Sequence, residues 1–401
     1  MAKGKSNLSR AHIGRTMIVH VSSVGRFHVF DLARQMMRLG HLGKLYTTYP
    51  KWKVDGLPPE KVATFPWFFV PKAFLGKLGL CRAERAFNPI VIETFDRWLA
   101  KHIEPCDVFH CLSGFGLQAH RAAKKRYGAL TVCDRGSSHI LYQEEILREE
   151  YERWRVPFRP FDRRIVEREL QEYEECDLIT VPSTFALRSF VERGVPEGKL
   201  AKLAYGVDLH MFHPVPKEDN VFRVIYVGAM SLQKGVPYLL EALATLQLPK
   251  FEIWLIGGLT DEIKPFFKKY EGRFRYLGVI PQTKLYQYYS QGSVFAIASL
   301  QEGLALVQAQ AMACGLPVIA TKNTGAEDLF TDGIEGFIVP IRSPEAIREK
   351  VVYLYEHPEV REEMARAALK RVKSMGGWNE YGKKAAAIYK EALNRHRSGR
   401  K

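Results

Sequence analysis

The sequence predicts an α/β protein built from two doubly wound domains in series, and three observations carry that expectation. Apolar runs of strand length alternate with helical stretches along most of the 401 residues. A chain of this length exceeds one compact core and suits two domains of about 200 residues each. A stretch rich in proline and charge, HPVPKEDN at 213–220, divides it near the middle.

The elements follow in order. Residues 17–21 (MIVHV) form a short apolar run, hence a first strand. Val24, Gly25 and Arg26 make the turn, and Phe27, Phe30, Ala33 and Met37 mark a helix over 27–39 that Gly40 stops. CDVFHCLS (106–113), ALTVCDRG (129–136) and CDLITVPS (176–183) read as buried parallel strands with polar ends, where open α/β sheets bind ligands. Beyond the linker, FRVIYVGAMS (222–231), FEIWLIGG (251–258), FRYLG (274–278), VFAIASL (294–300), PVIAT (317–321) and GFIVP (336–340) alternate with helical stretches. The segment 379–396 is helical in pattern. The expected domains are 1–213 and 218–378.

Composition narrows the function. With 46% hydrophobic and 12% aromatic residues the chain is globular, and no run of about 20 apolar residues would span a bilayer. The basic start, MAKGKSNLSRAHIGR, leads into a strand rather than a signal-peptide core, so a cytoplasmic protein is expected. Six cysteines (Cys81, Cys106, Cys111, Cys133, Cys176 and Cys314) lack CxxC spacing and fit reduced, buried thiols. The net charge of +15 is uneven, with 21 lysines and arginines against 8 acids in residues 1–128. That asymmetry suits an anionic partner such as a membrane surface at the inner face, or a basic surface that serves solubility. The segment 65–80 (FPWFFVPKAFLGKLGL), with Lys72 and Lys77 among aromatics, suits an interfacial segment or an ordinary packed loop. No recognition helix or stacking motif argues for nucleic acid. A zinc-spaced His/Cys cluster, a Walker loop and a full GxGxxG turn with a ribose-reading acid are all missing.

The chemistry concentrates in two turns. In SLQEGLALVQAQAMACGLPVIATKNTGAEDLFTDGIEGFIVP (299–340) an apolar strand ends at Glu302, and a glycine turn, a helix and a second strand follow. Amide N–H groups and the dipole at such a helix start suit a phosphate, while Glu302 suits hydroxyl groups. Together they describe a nucleotide-sugar site. In VGAMSLQKGVPYLLEA (227–242) a strand ends at Gly228, and Lys234 and Gly235 precede a helix. A lysine there would neutralise the charge that develops on a departing diphosphate.

Glu302-Gly303 through Ala311-Met312-Ala313-Cys314-Gly315-Leu316-Pro317-Val318 resembles the signature of retaining family 4 (group 1) glycosyltransferases of the GT-B fold. In that family two glutamates flank the glycine turn and helix; here they are Glu302 and, in the second place, Gln310. The resemblance implies two Rossmann-like domains facing each other across a cleft, with 1–213 on the acceptor side and 218–378 holding the donor. The final helix would pack back on the first domain. It implies retaining, metal-independent transfer from a UDP-, GDP- or ADP-sugar, without a further cofactor, to a sugar or lipid-linked acceptor. Gly228, Lys234, Gly235, Glu302, Gly303, Leu304, Ala305 and Gln310 would bind the donor, and Glu302 and Lys234 would act in catalysis. His110 falls where the family often has His-x-His; a catalytic role and a satisfied strand-end histidine both fit. Gly25 and Arg26 match the loop that borders acceptor and diphosphate, and Asp134 and Arg135 are acceptor-pocket candidates or parts of a capped turn. Asp208 fits a capping or hinge role. A regulator that binds nucleotide sugar without transferring it is the alternative, and Gln310 favours it.

Overall fold

The structure is a computed structural model that describes residues 16–65 and 81–398. Apart from Phe65, the aromatic and lysine-bearing segment at 65–80 lies outside the described residues.

Two parallel sheets form the frame. The first joins β1 (Val19–Ser23), β2 (Leu42–Thr47), β3 (Val62–Thr64), β4 (Val108–Leu112), β5 (Leu130–Asp134), β6 (Leu178–Val181) and β7 (Leu200–Lys202), in the order β3-β2-β1-β4-β5-β6-β7. The second joins β8 (Phe222–Val227), β9 (Phe251–Ile256), β10 (Arg275–Gly278), β11 (Val294–Ile297), β12 (Val318–Thr321) and β13 (Gly336–Val339), in the order β10-β9-β8-β11-β12-β13. Each sheet grows outward in both directions from a central strand, which is the doubly wound pattern the sequence predicts.

The helices of the first half are α1 (Val29–Arg38), α2 (Cys81–His102), α3 (Leu117–Tyr127), α4 (Ile140–Arg153), α5 (Arg163–Glu175) and α6 (Thr184–Val191). Those of the second are α7 (Val236–Leu243), α8 (Lys264–Lys269), α9 (Leu285–Ser290), α10 (Leu306–Ala313), α11 (Ala326–Leu329), α12 (Pro344–Glu356), α13 (Pro358–Ser374) and α14 (Gly377–Ser398). Strands β1, β4, β5, β6, β8, β11 and β12 are buried at every residue, as apolar runs covered on both faces must be. No described helix is long and apolar enough to cross a membrane.

Contacts divide the chain into two compact units. One comprises the described residues of Met1–Cys133 with Glu175–Asp177 and Ala385–Lys401. Its core gathers Tyr46, Phe95, Leu99, Phe109 and Ala119. The buried carboxylate of Asp96 on α2 accepts the Gln118 and Ala119 amides at 2.9 Å each, capping α3 from a neighbouring helix. Burial nevertheless pushes Asp96 up to about 6, against the pull of those two amides. His20 accepts the Lys44 amide at 2.8 Å, and burial holds it down at about 4.

The other unit comprises Asp134–Glu174 and Leu178–Lys384. Here the fully buried Glu150 on α4 is satisfied by three donors: Arg342 Nε at 2.8 Å, Trp154 Nε1 at 2.6 Å and Tyr238 Oη at 2.7 Å. A buried charge persists only with such partners. His139 caps α4 by accepting the Leu141 amide at 3.2 Å, and burial lowers it to about 4. Cys106, Cys111, Cys133, Cys176 and Cys314 are buried, as their contexts predict.

These titrations set a pH dependence. His20, His120 and His139 are each held at about 4 by burial against an ordinary 6.5, so the unfolded chain takes up their protons first. Their contribution is intact above about 6.5 and is lost as pH falls toward 4. Asp96, raised to about 6, acts in the opposite sense between 6 and 4 but is one group against three. The melting temperature should therefore fall on acidification from pH 7 to pH 4. His139→Asn keeps a capping side chain and should remove on the order of 2–3 kcal/mol of that acid sensitivity. An unchanged profile in this variant would show that His139 titrates normally.

Candidate donor site

Two glycines bring the chemical turns of the second sheet together. After β8, the chain runs through Gly228 to Lys234 and enters α7 at Gly235, whose φ is +63°. A Cβ at Gly235 would lie 1.9 Å from the Ala298 carbonyl oxygen, so only glycine fits beneath the end of β11. The Leu300 amide donates to the Gln233 carbonyl at 2.9 Å and locks the two turns side by side. Lys234 Nζ then forms an ion pair with Glu302 Oε1, and both side chains are largely shielded. Ser299 Oγ donates to the same Glu302 oxygen at 2.9 Å.

The backbone around Glu302 is anchored from below. Its amide donates to the Asn323 carbonyl at 2.9 Å, and the Ala305 amide donates to the Thr324 carbonyl at 3.0 Å. The Asn323 side chain donates to the Leu300 carbonyl at 2.8 Å. With the Glu302 and Ala305 amides engaged, Gly303, Leu304 and the first turn of α10 are where N–H groups could meet an anion. Gln310, on α10, is buried, and its amide oxygen accepts from Tyr289 Oη at 3.3 Å.

A third loop completes this cluster. Gly303 lies against Gly136, and a Cβ on Gly303 would come within 2.0 Å of the Gly136 oxygen. The fully buried Gln301 accepts from Ser137 Oγ at 3.1 Å and Ser138 Oγ at 2.9 Å, and Ser183 Oγ donates to the Gly303 carbonyl at 2.5 Å. Gln301, Ser137, Ser138 and Ser183 therefore fix the turn that carries Glu302. The sequence singles out neither Gln301 nor Ser183, and its only signal for the serines is their place after a strand end.

The remaining candidates are placed as follows. Asp134 is buried and accepts from Thr180 Oγ1 at 2.7 Å. Arg135 pairs with Glu169 at 2.8 Å and donates to Gln143 at 2.7 Å and to the Ser138 carbonyl at 3.0 Å. It thus braces the serine loop from behind. Asp208 accepts the His210 and Met211 amides at 2.9 and 3.1 Å and closes a turn that no helix follows. In the other unit, Gly25 has a φ of +92°, and Arg26, half exposed, pairs with Asp55 at 3.4 Å. His110 is fully buried on β4, and its Nδ1 lies 2.8 Å from Tyr389 Oη on α14.

Two doubly wound parallel sheets with facing lysine and glutamate turns define the GT-B class of fold. Comparison with known proteins agrees. The profile of glycosyl transferases group 1 matches residues 210–371, and that of glycosyltransferase family 4 matches residues 26–210. The chain belongs to the group 1 (family 4) glycosyltransferases. The D-inositol 3-phosphate glycosyltransferase of Nocardiopsis dassonvillei is 25% identical over 221 residues, 49% of this chain and 51% of that protein. The chain spans about half to three-fifths of the length of the first curated relatives it matches. Among solved structures, sucrose-phosphate synthase from Thermosynechococcus elongatus superposes with a TM-score of 0.73 at 20% identity, covering 94% of this chain and 100% of that one. Anabaena HepE in complex with UDP-glucose gives 0.66 at 16% identity, with the same two coverages of 94% and 100%.

The close approach of Gly303 to Gly136 yields a stability test. Gly303→Ala should cost on the order of 2 kcal/mol, because the clash is with backbone on both sides. Urea unfolding would measure it, and a midpoint equal to wild type would mean the two loops are not in contact.

Proposed function

We propose that the protein is a retaining, metal-independent glycosyltransferase that moves a sugar from a nucleotide-sugar donor to an acceptor. The observation that carries this reading is the Lys234–Glu302 pair across adjacent turns at the ends of β8 and β11. Family membership supports it, as do relatives whose names describe sugar transfer, among them the alpha-D-kanosaminyltransferase of Streptomyces kanamyceticus. The structural likeness to a protein solved with UDP-glucose makes a UDP-sugar the first donor to test.

In this reading Lys234 exchanges its contact with Glu302 for the diphosphate and stabilises the charge that develops as it leaves. Glu302, released, accepts hydrogen bonds from donor-sugar hydroxyls and orients the ring. Helix-start amides of α10 share the phosphate charge, so the reading calls for no metal. Departure and attack on one face follow the family's retaining course. The division into a donor domain at 218–378 and an acceptor domain at 1–213 accords with two family profiles that meet at residue 210.

The acceptor in this proposal is lipid-linked or a polysaccharide precursor at the inner face of a membrane. Its support is the basic excess in residues 1–128 together with Trp52, which is 80% exposed between the exposed Lys51 and Lys53. A regulator that binds donor without transferring it is the second reading, favoured by Gln310 in the place of the family glutamate.

Lys234→Ala should weaken UDP-glucose binding in calorimetry and slow transfer about 100-fold. Glu302→Ala should slow transfer at least as much while the protein stays folded. Equal affinity and rate in wild type and Lys234→Ala would contradict the assignment. Donor binding without any transfer or hydrolysis would favour the regulator.

A further inference from the structure

A cavity lies within the same compact unit as the Lys234 and Glu302 turns. It encloses about 330 Å³, at the small end of the range for small-molecule sites. Lys234 and Glu302 follow β8 and β11, whereas this cavity opens past the next strands along the sheet: Lys322 and Asn323 follow β12, and Ile341 follows β13. Tyr142 of α4 and Phe185, Arg188 and Glu192 at α6 close the other side.

The lining combines an apolar wall with balanced polar groups. Tyr142 and Phe185 meet edge to face, with centroids 5.7 Å apart, and form the wall. Asn323 forms the floor, its side chain donating to the Leu300 carbonyl at 2.8 Å. Arg188 is held by Glu327 through two bonds of 2.6 and 3.1 Å, so its charge is already matched. Lys322 and Glu192, both exposed, leave one cation and one anion at the rim. A phosphate or carboxylate ligand would meet Glu192 as well as Lys322. A neutral polyhydroxyl ring fits better: it donates to the carboxylate, accepts from the ammonium, and sets its C–H face on the aromatic wall.

The floor also belongs to the donor turn, because the Asn323 carbonyl holds the Glu302 amide at 2.9 Å. We infer that this cavity binds a neutral saccharide unit of the acceptor, separate from the sugar being transferred. The acceptor role rests on the glycosyltransferase reading; the saccharide site itself does not.

Saturation-transfer NMR with glucose, galactose, mannose and N-acetylglucosamine, each offered alone to the intact protein without nucleotide, tests the site. At least one sugar should bind at millimolar concentration. The double variant Lys322→Met with Glu192→Gln, altered only at the exposed rim, should bind that sugar about tenfold more weakly with UDP affinity unchanged. Lys234→Ala should do the reverse. Failure of all four sugars to bind, binding indifferent to the rim variant, or displacement of the sugar by inorganic phosphate would each overturn the inference. Sugar binding that obeys the rim variant in a protein that transfers nothing would leave the site standing and remove the glycosyltransferase reading. Transfer by a protein that binds none of the sugars would do the opposite.

Discussion

The candidate donor site depends on one steric constraint, the close approach of bare backbone at Gly235 and Gly303. Gly235 lets the lysine turn slide under the Ala298 carbonyl, and Gly303 lets the glutamate turn rest on Gly136. No side chain could occupy either contact. Once both are made, the Leu300–Gln233 hydrogen bond fixes the distance between turns, and Lys234 meets Glu302. The ion pair is a consequence of this packing more than a cause. A shielded pair contributes little net stability, because desolvation offsets most of the attraction. That near balance would suit the proposed exchange of partners between the pair and a diphosphate.

Around this contact, hydrogen bonds to buried polar side chains hold the loops in place. Glu150 with its three donors, Gln301 with its two serines, and Asn323 bridging Leu300 and Glu302 each remove freedom from a loop the site uses. Loops held in this way can carry a charged pair at fixed separation without help from a ligand. The same rigidity links the donor turn to the neighbouring cavity through a single residue, Asn323, whose carbonyl serves one and whose side chain floors the other.

Much of the frame is legible in the chain because buried parallel strands are continuous apolar runs. FRVIYV, VFAI and VIAT announce themselves, and Lys234-Gly235 before VPYLLEAL places the helix start to the residue. Shorter edge strands do not: β3 and β7 span three residues each, too few for a periodic pattern. Site partners far apart in sequence are equally silent. Nothing in Gln301 foretells Ser137 and Ser138, and nothing in Arg135 foretells that Glu169 and Gln143 draw it behind its loop. His110 and Tyr389 meet only because the last helix lies on β4, a tertiary fact with no local signature.

The measurement that tests this account most directly is a crystal structure of the protein with UDP. The account predicts UDP over the ends of β8 and β11, with Lys234 Nζ about 2.7–3.2 Å from a diphosphate oxygen and no longer paired with Glu302. UDP bound elsewhere, with the Lys234–Glu302 pair intact, would contradict it.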